Sequence, residues 1–115
     1  MTSKNKVNAF LHRFKTKLGI WDIIYRDDRG KNTQALLELE ISPYERTEII
    51  KKLDVIDYSE GPLEETLYGG SDMWIFGKTV KGKEVYIKIT MGKPNNPTIC
   101  ISFHIAEHSM NYPFK

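Results

Sequence analysis

The stretch Asp72–His104, DMWIFGKTVKGKEVYIKITMGKPNNPTICISFH, decides the fold. Apolar and polar residues alternate along much of it, and successive side chains of a strand point to opposite faces. The pattern predicts three strands, at Met73–Lys78, Glu84–Thr90 and Thr98–His104. Turn residues at 81–83 and 92–97 separate these segments, so we expect two hairpins in a simple meander.

The predicted sheet has one apolar face and one polar face. The apolar face is expected to carry Val85, Ile87, Ile89, Ile99, Ile101 and Phe103. The polar face is expected to carry Tyr86, Lys88, Thr90, Ser102 and His104. In a simple meander Trp74 and Lys78 share the polar face, because their parity is opposite to that of Met73 and Ile75. An apolar face needs a covering layer, whereas a polar face is available for binding or chemistry.

Three helices are predicted to supply the covering layer. The first shows an amphipathic stripe formed by Val7, Phe10, Leu11, Phe14 and Leu18. The second is expected to start with Asn32 or Thr33 as its cap. The third starts at the capping box Ser42–Glu45 and continues to about residue 53. A short strand is expected between the first two helices, at Ile20–Tyr25.

These elements predict an α+β fold, in which a small, twisted, mainly antiparallel sheet is covered on one face by about three helices. A chain of 115 residues is expected to form a single domain, 1–115. Within it we expect a helical cover with a short strand at 1–56, an acidic loop at 57–72 and the meander at 73–104. The apolar tail 105–115 is expected to dock through Tyr112 and Phe114.

Composition and terminal sequence restrict the compartment. Hydrophobic residues make up 40% of the chain, and no apolar run approaches the roughly 18–20 residues that cross a bilayer. The N-terminal residues MTSKNKVNAF lack the apolar core of a secretory signal. The single Cys100 cannot form an internal disulfide. We therefore expect a cytoplasmic protein that does not associate with a membrane.

The charges are distributed unevenly along the chain. Residues 1–31 carry eight Lys and Arg against three acids, residues 32–72 carry three against ten, and residues 73–115 carry six against two. Two basic ends therefore flank an acidic middle. A basic surface is compatible with nucleic acid, although a solvated surface that simply mixes its charges explains the same counts equally well.

Few motifs indicate a particular chemistry. Asp27 and Asp28 lack the alternating oxygen ligands of a calcium loop and have no accompanying His or Cys pair. No nucleophile motif, phosphate loop or dinucleotide fingerprint is present. Cys100 lies in an apolar strand and is expected to be a buried, inert thiol. We therefore predict no metal site and no cofactor.

The polar face of the sheet offers side chains that suit RNA cleavage. The candidate catalytic residues are Tyr86, His104, Lys88, Lys78 and His108. Histidine can accept or donate a proton near neutral pH, and lysine can stabilise the charge of a phosphorane. The candidate RNA-binding residues are Trp74, Lys83, Arg26, Arg29 and Lys31. The alternative is an ordinary exposed strand face, on which Tyr and Lys are common.

Several segments, in order and spacing, resemble the motility quorum-sensing regulator (MqsR) family of toxins. The similar segments are Leu36–Leu53, Asp57–Glu60, Trp74, Val85–Thr90 (VYIKIT) and Ile101–Phe103 (ISF). The resemblance is loose over 7–104 and best over 84–104. It implies a RelE-like fold and a messenger-RNA interferase of a bacterial type II toxin–antitoxin pair, without a metal. The implied partners are mRNA, a helix-turn-helix antitoxin and, as a further candidate, the ribosome.

The resemblance assigns some residues and departs at others. Tyr86 corresponds to the family's active-site tyrosine. His104 and Glu60 stand where the family has lysines, which implies that histidine takes over proton transfer. The expected function is therefore an endoribonuclease toxin that inhibits translation by cleaving mRNA. The alternatives are a non-catalytic RNA-binding or protein-interaction module on the same fold, and an interaction protein that uses the acidic segment Glu60–Asp72.

Overall fold

The computed structural model describes residues 2–28, 30–64 and 71–115. Its helices are α1 (Lys4–Trp21), α2 (Lys31–Leu39) and α3 (Pro43–Lys51), followed by a single 3₁₀ turn at Val55–Asp57. Its strands are β1 (Ile23–Tyr25), β2 (Tyr58–Leu63), β3 (Met73–Val80), β4 (Lys83–Thr90) and β5 (Thr98–Ile105).

The strands form one sheet in the order β1-β5-β4-β3-β2. β1 is parallel to β5, and the other neighbours are antiparallel. The helices lie on one face, so the predicted α+β class with a mainly antiparallel sheet and a helical cover is confirmed. None of the helices in the described part of the chain combines the length and apolar character that a membrane crossing requires.

The apolar stripe of α1 seals one face of the sheet. Its five stripe residues are all buried, and Phe10 stacks on Trp74 with ring centroids 4.6 Å apart. Ser3 caps α1 by accepting a hydrogen bond from the amide of Lys6. The capping box predicted at Ser42 and Glu45 is present at the start of α3.

The start of α2 differs from the prediction, because its N-cap is Gly30. Asn32 lies inside the helix, and its side chain is buried against β5. Its amide nitrogen donates to the carbonyls of Arg26 and Ile101, and its amide oxygen accepts from the amide of Phe103. The Asn32 side chain, which the sequence predicted as a candidate helix cap, therefore forms these three hydrogen bonds instead.

The segment predicted as an acidic loop, 57–72, contains strand β2. Tyr58 pairs with Phe76 and Leu63 with Met73, and Tyr58 is buried in the core. Pro62 is tolerated because β2 is an edge strand. Residues 65–70 of the predicted loop lie outside the described residues.

The face assigned to Trp74 and Lys78 is wrong. In the β3–β4 ladder Trp74 pairs with Ile89, Lys78 pairs with Val85, and both partners are core residues. Residues directly opposite each other share a face. Trp74 therefore lies in the core, whereas Ile75 lies on the polar face.

A β-bulge changes the predicted alternation of β5. Lys88 pairs with Ser102 but Ile89 pairs with Cys100, so Ile101 is an extra residue on that strand. Cys100 is consequently fully buried in the core, while Ile99 and Ile101 do not belong to it. Burial raises the pKa of the Cys100 thiol to about 12, so the group stays protonated and unreactive.

Arg46 of α3 is almost completely buried beneath the turn that follows β1. Its guanidinium donates to both carboxylate oxygens of Asp27, at 3.1 and 3.2 Å, and lies 3.5 Å from the centroid of the Tyr25 ring. The Arg46 side chain is 4% exposed and that of Asp27 is 32% exposed. Asp27 therefore compensates a buried charge and fixes the turn that leads to α2.

We expect Asp27→Asn to lower the free energy of unfolding by about 2–4 kcal/mol, because it leaves the buried guanidinium without its counter-charge. Urea denaturation measures the loss. The matched control is Asp28→Asn, since the Asp28 side chain is 61% exposed and a surface ion pair contributes at most about 1 kcal/mol. Equal losses for the two variants would contradict the structural role of Asp27.

Candidate functional site

A cleft of about 630 Å³ lies on the face of the sheet opposite the helices. Strands β3, β4 and β5 form its floor, β2 forms one wall, and the C-terminal tail forms the other. The lining residues used below are Glu60, Ile75, Tyr86, Lys88, Ser102, His104, Glu107 and His108. The cleft therefore combines two imidazoles, an ammonium, a phenol and two carboxylates.

Two rows of paired residues cross the floor of the cleft. In the first row, Tyr86 of β4 pairs with Gly77 of β3 and with His104 of β5. In the second row, Lys88 of β4 pairs with Ile75 of β3 and with Ser102 of β5. Glu60 of β2 pairs with Ile75, so it continues the second row. The register of three ladders thus brings together residues that lie far apart in the sequence.

Tyr86 and His104 form the centre of the floor. Their rings are stacked, with centroids 5.1 Å apart and planes inclined by 13°. Lys88 Nζ lies 5.8 Å from the centroid of the Tyr86 ring. The stacking holds the imidazole at a defined place beside the phenol and the ammonium.

The backbone fixes the tautomer of His104. Its Nδ1 lies 3.0 Å from the carbonyl oxygen of Ile105. A carbonyl oxygen only accepts hydrogen bonds, so Nδ1 carries the hydrogen in the neutral ring. The lone pair is therefore on Nε2, which makes that nitrogen the proton acceptor of the imidazole.

The pKa of the Tyr86 phenol is raised. The first cause is partial burial of the ring, and the second is the negative charge of Glu60. The phenol consequently stays protonated at neutral pH and above, so Tyr86 serves the site as a neutral hydrogen-bond donor.

Glu60→Gln is expected to lower the pKa of Tyr86, because it removes one of the two causes that raise it. Burial remains, so the pKa stays above the usual tyrosine value. NMR titration of ring-labelled tyrosine measures the change. Glu64→Gln is the matched control, since this exposed carboxylate is not among the causes of the shift. A Tyr86 titration that is identical in the wild type and in Glu60→Gln would contradict the assigned cause.

The C-terminal tail is anchored at two places beyond the cleft. The hydroxyl of Tyr112 donates to a carboxylate oxygen of Glu84 at 2.7 Å. This hydroxyl lies directly over Gly77, where a Cβ would overlap it. The ring of Phe114 stacks on Tyr58, with centroids 5.4 Å apart. These contacts place residues 107–111 along the wall of the cleft.

A smaller cavity of about 140 Å³ adjoins the cleft. The two share Lys88, Ser102 and His104 as lining residues. The smaller cavity adds Arg26, Lys31, Asn32 and Ile101, which come from the segment around α2 and from the bulge of β5. The two cavities together are called the groove below, and His104 belongs to the lining of both.

An ion pair connects the tail with the start of α2. The ammonium of Lys31 donates to the carboxylate of Glu107. This hydrogen bond and the charge of Lys31 lower the pKa of Glu107, and the nearby His104 and His108 add to the effect. Glu107 therefore stays ionised at the rim of the groove.

The structure brings some of the predicted site residues together and separates others. Tyr86, Lys88, His104 and His108 line the cleft, whereas Arg26 and Lys31 line the smaller cavity. The predicted catalytic Lys78 lies instead on the core side of the sheet, 3.2 Å from a carboxylate oxygen of Asp57.

Three predicted RNA-contacting residues need a separate account. Trp74 is buried in the core, so it offers no surface on which a base can stack. Lys83 is exposed at the first hairpin, away from the residues that line the groove. Arg29 lies outside the described residues.

The sequence did not identify Glu107 as a site residue. It treated Glu60 as a position where the resemblance has a lysine and as part of an acidic interaction segment, and did not place it beside Tyr86 and Lys88. Both glutamates enter the site through long-range contacts, the pairing of Glu60 with Ile75 and the Lys31–Glu107 ion pair. No group of three or more His, Cys, Asp or Glu side chains arranged to hold a metal ion occurs within residues 2–28, 30–64 and 71–115.

The fold and the site together define a small α+β domain with a polar, titratable groove on its free sheet face. Comparisons with models of known protein families, with curated protein sequences and with solved structures find no match for this chain.

Proposed function

We propose that this protein is an endoribonuclease that cleaves mRNA without a metal ion and acts as the toxin of a type II toxin–antitoxin pair. The observation that carries the proposal is the stacked pair of Tyr86 and His104, which lies in a cleft with Lys88 and His108. Cleavage of RNA at a 2′-hydroxyl requires a base, an acid and a positive charge, and these four residues offer all three.

His104 is the base of the proposed reaction. Its Nε2 takes the proton of the 2′-hydroxyl, and the 2′-oxygen then attacks the adjacent phosphorus. The bond from phosphorus to the 5′-oxygen breaks, and the imidazolium of His108 donates a proton to that leaving oxygen. The products are a 2′,3′-cyclic phosphate and a 5′-hydroxyl. The hydrogen bond from Nδ1 to Ile105 supports this role, since it leaves Nε2 as the acceptor.

Lys88 and Tyr86 assist without transferring the reacting protons. The ammonium of Lys88 neutralises the charge that grows on the non-bridging oxygens of the phosphorane. The Tyr86 phenol donates a hydrogen bond to the same phosphate, consistent with its raised pKa. Its ring and the stacked imidazole are also suited to contact a base of single-stranded RNA.

The sequence resemblance to the MqsR family supplies the biological part of the proposal. We propose on this basis that the protein acts in the cytoplasm, inhibits translation by cleaving mRNA, and is held inactive by a helix-turn-helix antitoxin. The ribosome is a further candidate partner. We expect the adjacent open reading frame to encode a small DNA-binding protein. Co-expression of that protein is expected to restore growth.

Expression of the wild type and of a Tyr86→Phe/His104→Ala double variant tests the enzymatic part. The wild type is expected to arrest growth and fragment cellular RNA, and the double variant to do neither. Cleavage of a synthetic RNA by the purified protein is expected to persist with EDTA. Normal growth and intact RNA with the wild type would refute the toxin function.

The second candidate function is a non-catalytic RNA-binding or protein-interaction module. Glu60 favours it, because a carboxylate in the row of Lys88 opposes the additional negative charge of a phosphorane and therefore opposes cleavage. This candidate predicts RNA binding that weakens steeply with salt, without any cleavage.

A further inference from the structure

The two cavities of the groove differ in charge. The larger cleft carries the carboxylates of Glu60 and Glu107 beside its cationic groups. The smaller cavity is lined by Arg26, Lys31, Lys88 and His104 together with three neutral residues, and no carboxylate among the described residues lines it. A polyanion that follows the groove past His104 therefore meets a cationic site in the smaller cavity.

The wall of the smaller cavity is held in place by hydrogen bonds. Both N–H groups of the Asn32 amide donate to the carbonyls of Arg26 and Ile101, and its oxygen accepts from the amide of Phe103. Asn32 therefore has no donor left for a phosphate, but it fixes the backbone on both sides of the cavity. A cavity built in this way needs little rearrangement to accept a ligand.

The cationic side chains of the cavity differ in their partners. Arg26 lies 3.4 Å from a carboxylate oxygen of Asp28, which is close to it in sequence. Lys31 is instead paired with Glu107, which belongs to the tail and lines the larger cleft. The Lys31–Glu107 pair therefore joins the rims of the two cavities beside His104. Both of its side chains are more than half exposed, so a ligand from solvent can replace either partner.

We propose that the smaller cavity binds a phosphate of the RNA strand next to the one that is cleaved, and that Glu107 competes with this phosphate for Lys31. The inference extends the proposed function, because it assigns a substrate subsite beside the same His104. In the free protein the Glu107 carboxylate takes the place of a phosphate oxygen on Lys31. When RNA binds, the phosphate takes over Lys31 and the tail loses one of its contacts with α2.

Binding of an uncleavable probe tests the subsite. The probe is a short single-stranded oligonucleotide with 2′-O-methyl riboses, which lacks the attacking hydroxyl, and fluorescence anisotropy measures its affinity at several salt concentrations. Glu107→Gln is expected to tighten binding roughly two- to fivefold at low salt, the range that corresponds to an exposed ion pair. Lys31→Ala is expected to weaken binding and to make the salt slope shallower by about 0.7, the value for one lost phosphate contact.

The double variant Lys31→Ala/Glu107→Gln separates competition from a general change of charge. If Glu107 acts through Lys31, the double variant binds the probe as weakly as Lys31→Ala alone. An equal gain from Glu107→Gln with and without Lys31 would overturn the proposal, as would an unchanged affinity in Glu107→Gln. Lys6→Ala is the matched control, since Lys6 is exposed on α1, which packs on the other face of the sheet.

Failure of this inference is distinguishable from failure of the proposed function. If the wild type cleaves RNA and binds the probe, but affinity does not depend on Lys31 and Glu107, only the subsite is wrong. If the wild type neither cleaves RNA nor binds the probe, both the enzyme and its subsite are refuted. Binding without cleavage, with the expected effects of Lys31 and Glu107, supports the subsite on the non-catalytic module.

Discussion

Replacing His104 with alanine is expected to lower the rate of RNA cleavage by about 10²–10⁴-fold, the usual contribution of a general acid or base. The variant removes the imidazole whose Nε2 is left as a proton acceptor by the hydrogen bond from Nδ1 to Ile105. His104 is only partly buried, and its backbone pairs with Tyr86 in the β4–β5 ladder, so the fold is expected to remain intact. Single-turnover cleavage of a synthetic RNA measures the effect, and circular dichroism checks the fold.

His12→Ala is the matched control, because His12 is exposed on α1, and α1 packs on the other face of the sheet. It is expected to cleave RNA at the wild-type rate. Equal cleavage rates for His104→Ala and His12→Ala would exclude proton transfer by His104.

The position of Trp74 shows that the length of a hairpin turn determines which face of the sheet each residue of the preceding strand occupies. The turn residues Lys81 and Gly82 both have positive φ, at 49° and 82°, so the loop has two residues and Val80 pairs with Lys83. Counting back from that pair places Trp74 opposite Ile89 on the core face. Lys81-Gly82 is visible in the sequence, so the face of β3 was predictable from the length of the turn. Alternation within Met73–Lys78 alone does not contain this information, since apolar residues occupy both parities.

The bulge in β5 was not predictable from alternation. Residues 99–101 are Ile, Cys and Ile, so either parity presents an apolar side chain to the core. Contacts from distant segments decide between them. Asn32 bonds to the carbonyl of Ile101 and the amide of Phe103, and β1 pairs with Thr98–Cys100. The fold around the site therefore depends on segments some 70 residues away, and no local pattern contains them.

Alternation, by contrast, correctly predicted that four polar residues share one face of the sheet. The structure pairs them across β4 and β5, and they are Tyr86, Lys88, Ser102 and His104. The walls of the cleft did not follow. A tail rich in apolar residues predicts docking but not where it docks. That depends on Gly77, whose missing side chain leaves room for Tyr112 over β3. Glu107 and His108 enter the site only because the tail crosses the sheet there.

Trp74→Ala is expected to lower the free energy of unfolding by about 3–5 kcal/mol, the cost of truncating a large buried aromatic residue. The Trp74 side chain is 7% exposed, stacks on Phe10 and meets Tyr58 edge-on, with centroids 6.2 Å apart. The truncation leaves a cavity between α1 and the sheet that neither ring can fill. Urea denaturation measures the loss, and Trp74→Phe is expected to lose less because it keeps an aromatic ring on Phe10.

The chain offers a matched control in its other tryptophan, Trp21, which is 43% exposed at the end of α1. Trp21→Ala is expected to cost no more than about 1 kcal/mol. Trp74→Ala also decides whether Trp74 binds RNA. Loss of a core residue changes stability, so the folded form of Trp74→Ala is expected to retain wild-type affinity for the uncleavable oligonucleotide. A surface stacking platform changes affinity instead, by about 1–3 kcal/mol per base on loss of the ring. If Trp74→Ala has wild-type stability but binds RNA more weakly, Trp74 lies on the polar face. That result would contradict the β3–β4 register on which the site is built.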